Sequence, residues 1–350
     1  MDLHFDAIVV DGHADTIGRA LDKGEDLSRR TRGHIDLPKM RAGGLDAQFF
    51  ACWIEPRHVK AGTCAKRTLQ MIDAIRRVPG LTVAVSADDV RRAAAAGKPA
   101  AIPCIEGGHA IENDLGVMRT FAALGVRYMT LTWNNSTDWA DACAERPRHN
   151  GLTKFGREVV REMNRTGVIV DISHVHQVTF WAALAATRRP VMASHSCARA
   201  LCDHRRNLWD PQLRAVGRNR GVVCVNFYSS FISQSFKDAS DPLWKARDRE
   251  QRGRDLPGIH RKYERMEAKL PRPPLSVLLD HIDHIARIAG VDHVGLGSDF
   301  DGVSSLPVGV EDCSKLPAIT RGLRARGWKP RDIRKVLGEN VLRVMKANEP

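Results

Sequence analysis

The sequence has no long hydrophobic run, because none of its apolar segments approaches the roughly 20 residues that a membrane-spanning helix needs. Residues 1–6 contain no basic segment followed by an apolar stretch, so we expect no secretory signal and a cytoplasmic location. The eight cysteines form no Cys-x-x-Cys pair, and several fall in predicted strands. We therefore expect reduced, mostly buried thiols and no redox motif.

The composition describes a folded and basic chain. Its 350 residues are 43% hydrophobic, which is enough for one large α/β domain. The 54 basic residues exceed the 41 acidic ones and give a formal charge of +13. They are spread along predicted helices and do not collect in one aromatic-laced patch, which argues against nucleic-acid binding. We expect a solvated basic surface that favours anionic small molecules.

Two short apolar runs, residues 168–172 and 190–193, both lead into the dipeptide Ser-His. Runs of this length that are rich in valine and isoleucine predict strands buried on both faces of a parallel sheet. In a barrel of such strands, catalytic side chains lie at the carboxyl ends. His174 and His195 are therefore predicted to lie at the same rim.

Eight apolar runs alternate with amphipathic helical segments along the chain. The predicted strands are 7–10, 47–53, 100–105, 126–132, 168–172, 190–193, 221–227 and 293–298. This pattern predicts an α/β fold, the (β/α)8 TIM barrel, as a single domain over residues 1–350. The charged stretch at about 228–274 follows strand seven and is too long for an ordinary connection. It is interpreted as a mobile lid or oligomer contact, or as a solvated helical insertion with no role.

Three more predicted strands end in side chains that bind metal ions. His13 and Asp15 follow the first strand, and an imidazole and a carboxylate at this spacing are a common way to hold zinc or a similar ion. Glu106 closes the third strand, where a carboxylate is costly to bury unless it is paired or bound to metal. Asp299 ends the eighth strand.

Two other histidines are not expected to be ligands. His34 and Asp36 repeat the His-x-Asp pattern in a predicted loop ahead of the second strand, and are interpreted as structural. His109 lies past the turn at Gly107 and Gly108, and is interpreted only as a neighbour of the site.

The converging side chains are enough for two divalent metals. Glu106 could bridge the ions, with His13 and Asp15 completing one site and His174 and His195 the other. A hydroxide held between two such ions attacks a carbonyl carbon at neutral pH. Asp299 could take the proton from the bridging water and return it to a leaving amine. The residues alone therefore predict metal-assisted hydrolysis of an amide or a related bond.

The adjacent Arg205 and Arg206 admit two interpretations. They are either surface charge or a forked donor for a substrate carboxylate, a task that suits arginine better than lysine.

The chain resembles the renal (membrane) dipeptidase family of zinc peptidases, related to the amidohydrolase barrels. The resemblance covers nearly the whole chain and is carried, in order, by residues 11–15 (Asp-Gly-His-Ala-Asp), 106–109 (Glu-Gly-Gly-His), 125–132, 171–174 (Asp-Ile-Ser-His), 194–196 (Ser-His-Ser), 205–207 (Arg-Arg-Asn), 225–228 and 297–302. It implies a binuclear zinc site with the ligand set given above and Glu106 as the bridge. It also implies that Arg206 contacts the C-terminal carboxylate of a dipeptide and that Asp299 shuttles the proton. Substrates would include dipeptides with a D-residue at the C-terminal position, and the protein would be a homodimer.

One position departs from the family pattern. After Thr-Leu-Thr at 130–132 the family usually has a histidine that contacts substrate and the developing oxyanion, and this chain has Trp133. Tryptophan donates one N–H but cannot carry a positive charge. Asn134 is the hypothesised substitute donor. This departure keeps two alternatives open: a metal-dependent amidohydrolase for another small amide, such as an N-acyl amino acid or a lactam, and a catalytically weak barrel kept for binding.

Overall fold

A closed ring of parallel strands forms the centre of the molecule. The computed structural model describes residues 2–252 and 257–350. The strands are β1 Val10–Ala14, β2 Ala47–Trp53, β3 Thr82–Val83, β4 Ala100–Glu106, β5 Tyr128–Thr130, β6 Ile169–Asp171, β7 Met192–Ala193, β8 Val222–Val225 and β9 Val294–Leu296. Their order is β2-β1-β9-β8-β7-β6-β5-β4-β3, and a further pairing of β2 with β4 closes the ring. The predicted (β/α)8 barrel is confirmed, with β3 as an extra short strand beside the start of β4.

Helices cover the outside of the ring and carry the chain from one parallel strand to the next. They are α1 Thr16–Lys23, α2 Leu37–Ala42, α3 Arg57–Ala61, α4 Cys64–Arg76, α5 Ala87–Ala95, α6 Leu115–Ala123, α7 Lys154–Thr166, α8 Gln177–Ala186, α9 Asp210–Arg218, α10 Ser229–Ile232, α11 Gln234–Gln251, α12 Pro257–Glu267, α13 Leu275–Ala289, α14 Pro317–Ala325, α15 Pro330–Arg334 and α16 Asn340–Asn348. None of the helices in the described ranges is long and apolar enough to cross a membrane.

Both faces of the strands are buried, as the apolar runs predict. Alternate residues of a strand fall into two packed clusters: Phe49 and Cys104 belong to one, Phe50 and Ile105 to the other. This is the packing of a parallel sheet that is covered on both sides. All eight cysteines are free, and every one except the half-buried Cys143 is buried.

The structure differs from the predicted secondary structure in three respects. Strand one begins at Val10 and includes His13, and Asp15 follows it with a non-extended backbone (φ −91°, ψ 12°). Helices α1, α2 and α3 were not predicted, because each is short and lies between motifs that read as loops. The last helical segment, from Pro330 to Asn348, is interrupted by a π-helical turn at Lys335–Glu339, where Gly338 packs against the backbone of Ile8 too closely for a side chain.

The insertion predicted after the seventh barrel strand, which is β8 in the structure, is helical. It contains α10, α11 and α12, and the chain then returns to the barrel through α13. Residues 253–256 of the predicted insertion lie outside the described residues.

A buried carboxylate organises the long loop between β5 and α7. Asp141 accepts hydrogen bonds from the backbone N–H groups of Arg148 (2.7 Å), His149 (3.1 Å) and Gly151 (2.8 Å). Burial on its own would raise the pKa of Asp141, but these donors outweigh it and lower the pKa below its ordinary value. The loop wall beside the barrel mouth therefore depends on an ionised side chain.

We expect Asp141→Asn to lower the free energy of unfolding at pH 7 by about 2 kcal/mol, because hydrogen bonds to a charged acceptor are lost. A lowered folded-state pKa stabilises the protein above the unfolded value of about 3.9 and ceases to do so as pH falls through the folded value. The difference between wild type and variant, measured by chemical denaturation, should therefore shrink below about pH 4. The exposed Asp138→Asn on the same loop is the control, and a pH-independent difference would contradict this account.

Candidate active site

The carboxyl ends of five strands bring their polar side chains together at one end of the barrel. Glu106, the last residue of β4, lies at the centre of this group. Its Oε1 is 2.8 Å from His174 Nε2 and 3.5 Å from His195 Nε2, and its Oε2 is 3.6 Å from His13 Nε2. The two carboxylate oxygens therefore face different histidines, which is the arrangement that a bridging ligand requires.

His13 is the second centre of the group. Its Nε2 lies 3.7 Å from Asp15 Oδ2 and 3.9 Å from Asp299 Oδ1. Two sets have ligand atoms close enough to hold one ion: His13, Glu106 and His195, and His13, Asp15 and Asp299. His174 Nε2 is 2.9 Å from His195 Nε2, so all six side chains singled out from the strand ends meet in one place.

Two buried polar atoms without a hydrogen-bond partner fit a metal cation. His13 Nε2 and Asp15 Oδ1 are buried and have no hydrogen-bond partner among the described residues. The other ring nitrogen of His13 contacts Tyr128 Oη at 2.6 Å, and that of His195 contacts Ser194 Oγ at 2.7 Å. Each Nε2 is thereby left for a ligand bond, as second contacts do in metal sites.

The charges at the site also favour a bound cation. Burial and the carboxylate of Glu106 raise the pKa of Asp15. Burial and Arg206 lower the pKa of His174 to about 3, and burial and His13 lower that of His195 well below its ordinary value. The last two histidines are therefore neutral near pH 7, which is the form that binds metal. Gathered carboxylates repel one another in a buried space, and a divalent cation relieves this repulsion.

Burial would lower the pKa of His13, but the carboxylates of Glu106 and Asp15 outweigh it and raise the pKa well above its ordinary value. Burial and the charge of Glu106 raise the pKa of Asp299 against the opposing influence of His13. His13 and the carboxylates around it thus depend strongly on one another.

A buried Asp-Ser pair fixes the two histidine-bearing strand ends. The carboxylate of Asp171, at the end of β6, accepts from the backbone N–H groups of Ser173 (3.0 Å) and Ser194 (2.9 Å), and from Ser194 Oγ. Ser173 Oγ in turn accepts from the N–H of His195 at 3.1 Å. The two Ser-His segments are therefore held in one register.

A second buried Asp-Ser pair links the ends of β1 and β9. Asp11 accepts from the N–H of Ser298 at 2.7 Å and from Ser298 Oγ, next to His13 and Asp299. Sequence reasoning assigned no role to Asp11, Asp171 or Tyr128. A usable signal was present, since an aspartate inside an apolar strand has to find donors if it is buried.

The backbone is strained at two of the predicted site residues. His174 (φ 66°) and Asp299 (φ 62°) both adopt the left-handed conformation, which non-glycine residues rarely take and which is often found at functional sites. Nearby, a Cβ atom on Gly302 would collide with the carboxylates of Asp15 and Asp299. Only glycine leaves these two side chains their present positions.

One arginine lies beside the cluster, next to His195. Arg206 is 5% exposed, its Nη2 donates to the carbonyl oxygen of His195 at 3.4 Å, and its guanidinium lies 5.4 Å from the ring of Phe231. The neighbouring Arg205 is exposed. Of the two arginines that the sequence offered, Arg206 is therefore the one placed at the site.

Trp133 lies near His174. Its ring is 5.2 Å from that of Trp53, at the end of β2, and 6.3 Å from that of His174. Asn134 Oδ1 lies 3.2 Å from His174 Nδ1, so its side-chain oxygen contacts a candidate ligand. The proposed role of Asn134 as an oxyanion donor stays a prediction.

His34 and His109 have partners outside this cluster. Asp36 caps α2 by accepting from the N–H of Lys39, and His34 Nδ1 accepts from the N–H of Asp301 at 2.9 Å. His109 Nε2 contacts the carbonyl oxygen of Ile54 at 2.8 Å. Their contacts agree with the interpretation of His34 and Asp36 as structural.

The model of the membrane dipeptidase family, peptidase family M19, matches residues 1–350 of the chain. Dipeptidase 3 of Mus musculus is 32% identical over 97% of the chain, and dipeptidase 3 of Rattus norvegicus is 33% identical over 97%. The chain spans 64% and 65% of the length of these two relatives.

Solved structures are similar over almost the entire chain. The probable dipeptidase PvdM from Pseudomonas aeruginosa has a TM-score of 0.87 at 26% identity, covering 99% of this chain and 96% of the other. A metallopeptidase from Rhodobacter sphaeroides, bound to a phosphinate mimic of the dipeptide L-Ala-D-Ala, has a TM-score of 0.78 at 29% identity, covering 98% and 100%.

The contact between Asn134 and His174 predicts an effect on metal binding. We expect Asn134→Ala to weaken zinc affinity by about 10–100-fold, as loss of a residue that orients a ligand does. The matched control is Asn135→Ala, because Asn135 Oδ1 has no hydrogen-bond partner among the described residues. Competition titration with a chromogenic chelator measures both, and equal affinities in the two variants would disprove the orienting role.

Proposed function

Because the chain belongs to the membrane dipeptidase family, we propose that it is a zinc-dependent dipeptidase that hydrolyses the peptide bond of dipeptides. The observation that carries this proposal is the meeting of three histidines, His13, His174 and His195, around Glu106, whose two oxygens face different histidines. The division of the chain into one barrel domain with an insertion is part of the same proposal.

Five side chains would hold two zinc ions. Glu106 would bridge them, His13 and Asp15 would bind one, and His174 and His195 the other. When bound, the two ions would supply a hydroxide nucleophile at neutral pH and stabilise the charge that develops on the carbonyl oxygen. The unpartnered His13 Nε2 and Asp15 Oδ1 support this assignment, because buried donor atoms otherwise find partners.

Asp299 would move the proton. Its Oδ2 accepts a hydrogen bond from Asn226 Nδ2 at 2.8 Å, and its Oδ1 faces the ligand cluster. One oxygen is thus held and the other is directed at the reacting groups, which suits a residue that takes a proton from water and returns it to the leaving amine.

Arg206 would bind the C-terminal carboxylate of the substrate. It is buried beside His195, and a guanidinium matches a carboxylate with two parallel hydrogen bonds. The phosphinate bound by the Rhodobacter sphaeroides enzyme mimics L-Ala-D-Ala, which supports acceptance of a D-residue at the C-terminal position here.

Trp133 and Asn134 would contact the rest of the substrate. Trp133 replaces a histidine of the family pattern, and its ring packs against that of Trp53 at 5.2 Å. This apolar pair supports the second candidate, an amidohydrolase for an N-acyl amino acid or a lactam, and a catalytically weak binding barrel is the third. The homodimer and the cytoplasmic location stay predictions.

The test of this function is the release of free amino acids from a panel of L-L and L-D dipeptides by zinc-loaded protein. We expect hydrolysis by the wild type and a loss of at least about 10³-fold in Glu106→Gln, which keeps the shape of the side chain but not its charge. Metal content is measured on the same samples, with two ions per chain expected in the wild type. Loaded protein that cleaves no dipeptide would refute the proposal, and N-acyl amino acids and lactams would be assayed next.

The two adjacent arginines provide a test of carboxylate recognition. We expect Arg206→Met to raise KM for dipeptides by about 10–100-fold, because a charge-assisted pair worth about 1.5–3 kcal/mol is lost. Arg205→Met, an exposed neighbour, should leave KM within about twofold. Steady-state kinetics compares the two, and similar KM values would exclude Arg206 as the carboxylate contact.

A further inference from the structure

A buried carboxylate lies at the end of α12, away from the ligand cluster. Glu267 is completely buried, and its oxygens accept from Tyr228 Oη at 2.7 and 2.8 Å, from Trp244 Nε1 at 2.8 Å, and from the hydroxyl groups of Ser240 and Ser304. In the described part of the chain no lysine or arginine pairs with it. The carboxyl group is therefore held by neutral donors alone, and a buried polar group of this kind is costly unless each donor is well placed.

The donors come from separate segments. Ser240 and Trp244 belong to α11, whereas Tyr228 follows β8 and Ser304 follows β9. Glu267 therefore joins the helical insertion to the two barrel loops that carry Asn226 and Asp299. The same two loops are also joined by the backbone bond from Ser229 N to Ser305 O, at 3.0 Å.

A continuous chain of contacts leads from Glu267 to the site. The hydroxyl group of Tyr228 donates a hydrogen bond to Glu267. The backbone N–H of Tyr228 donates to Asn226 Oδ1 at 2.6 Å. Asn226 Nδ2 then donates to Asp299 Oδ2 at 2.8 Å. The orientation of the Asn226 amide is thus set at one end by the backbone of Tyr228 and used at the other by Asp299.

We propose that Glu267 is a positioning residue that acts through Tyr228 and Asn226 to hold the Asp299 carboxylate, so that the insertion is part of the catalytic apparatus. This inference rests on the proposed function, in which Asp299 moves the proton. If the backbone at Tyr228 shifts, the amide of Asn226 loses its fixed acceptor bond and can turn. Asp299 then loses the donor that leaves Oδ1 directed at the reacting groups, and small misplacements of this kind reduce turnover strongly.

The insertion offers a matched pair of tyrosines for the test. Tyr228→Phe removes only the hydroxyl that reaches Glu267. Tyr263→Phe removes a hydroxyl of the same insertion that donates to Glu250 at 2.8 Å, away from the barrel loops. We expect Tyr228→Phe to lower kcat for a cleaved dipeptide by about tenfold with KM within twofold, and Tyr263→Phe to leave both within twofold.

Glu267→Gln should cause a similar loss of kcat, and the double variant Tyr228→Phe/Glu267→Gln no more than either single one, because the two residues act along one path. Zinc content should equal that of the wild type. An unchanged kcat in Tyr228→Phe, a loss that follows zinc content, or losses that multiply in the double variant would overturn the proposal.

A second measurement separates this inference from the proposed function. Hydrogen exchange of the Tyr228 amide, whose N–H is bonded to Asn226, should be at least about tenfold faster in Glu267→Gln than in the wild type, and unchanged in Tyr263→Phe. If the wild type cleaves no dipeptide, the proposed function fails. The exchange rate of the Tyr228 amide then still shows whether Glu267 stabilises the chain of contacts that leads to Asp299. An unchanged rate in Glu267→Gln would overturn the inference.

Discussion

The geometry of the barrel mouth depends on two aspartates that are buried inside strands. Asp11 and Asp171 are removed from water, and burial raises the pKa of Asp11 to about 6 and also raises that of Asp171. The cost of burying each carboxylate is offset by a serine at the end of the neighbouring strand, which donates both its backbone N–H and its hydroxyl group. Because a partly satisfied carboxylate would be costly, each pair tolerates only one register of its two strands.

This register determines where the candidate ligand atoms lie. The Asp171 pair sets the positions of His174 and His195, and the Asp11 pair those of His13 and Asp299. The strained backbone at Asp299 is held by the residue that follows Gly12 in β1, since Asp299 donates its N–H to the carbonyl oxygen of His13 at 3.0 Å. Glu106 then needs only to lie at the end of a straight strand to face both groups.

The sequence predicted the parts of this arrangement that leave a periodic or local signal. Buried parallel strands are continuous apolar runs, so the eight barrel strands and the polar residues at their ends were predictable. Strand β3 has two residues and helix α3 five, which is too short for periodicity to show. The contact of Tyr128 with His13 joins residues 115 positions apart, and the left-handed backbone at His174 has no sequence marker. The path from Glu267 to Asp299 was equally hidden, because it crosses four segments.

The buried cysteines have a consequence for the choice of metal. Cys104 and Cys224 lie within the barrel core, and burial raises the pKa of each thiol well above its ordinary value. Metals bind the thiolate form, so these sulfur atoms do not compete with the imidazole and carboxylate donors. Thiolates are the soft ligands that bind copper(I), and these buried thiols do not supply them. Oxidants that react with exposed thiolates have no such group to react with in the core. Burial of these thiols therefore leaves imidazole and carboxylate groups as the donors at the candidate site.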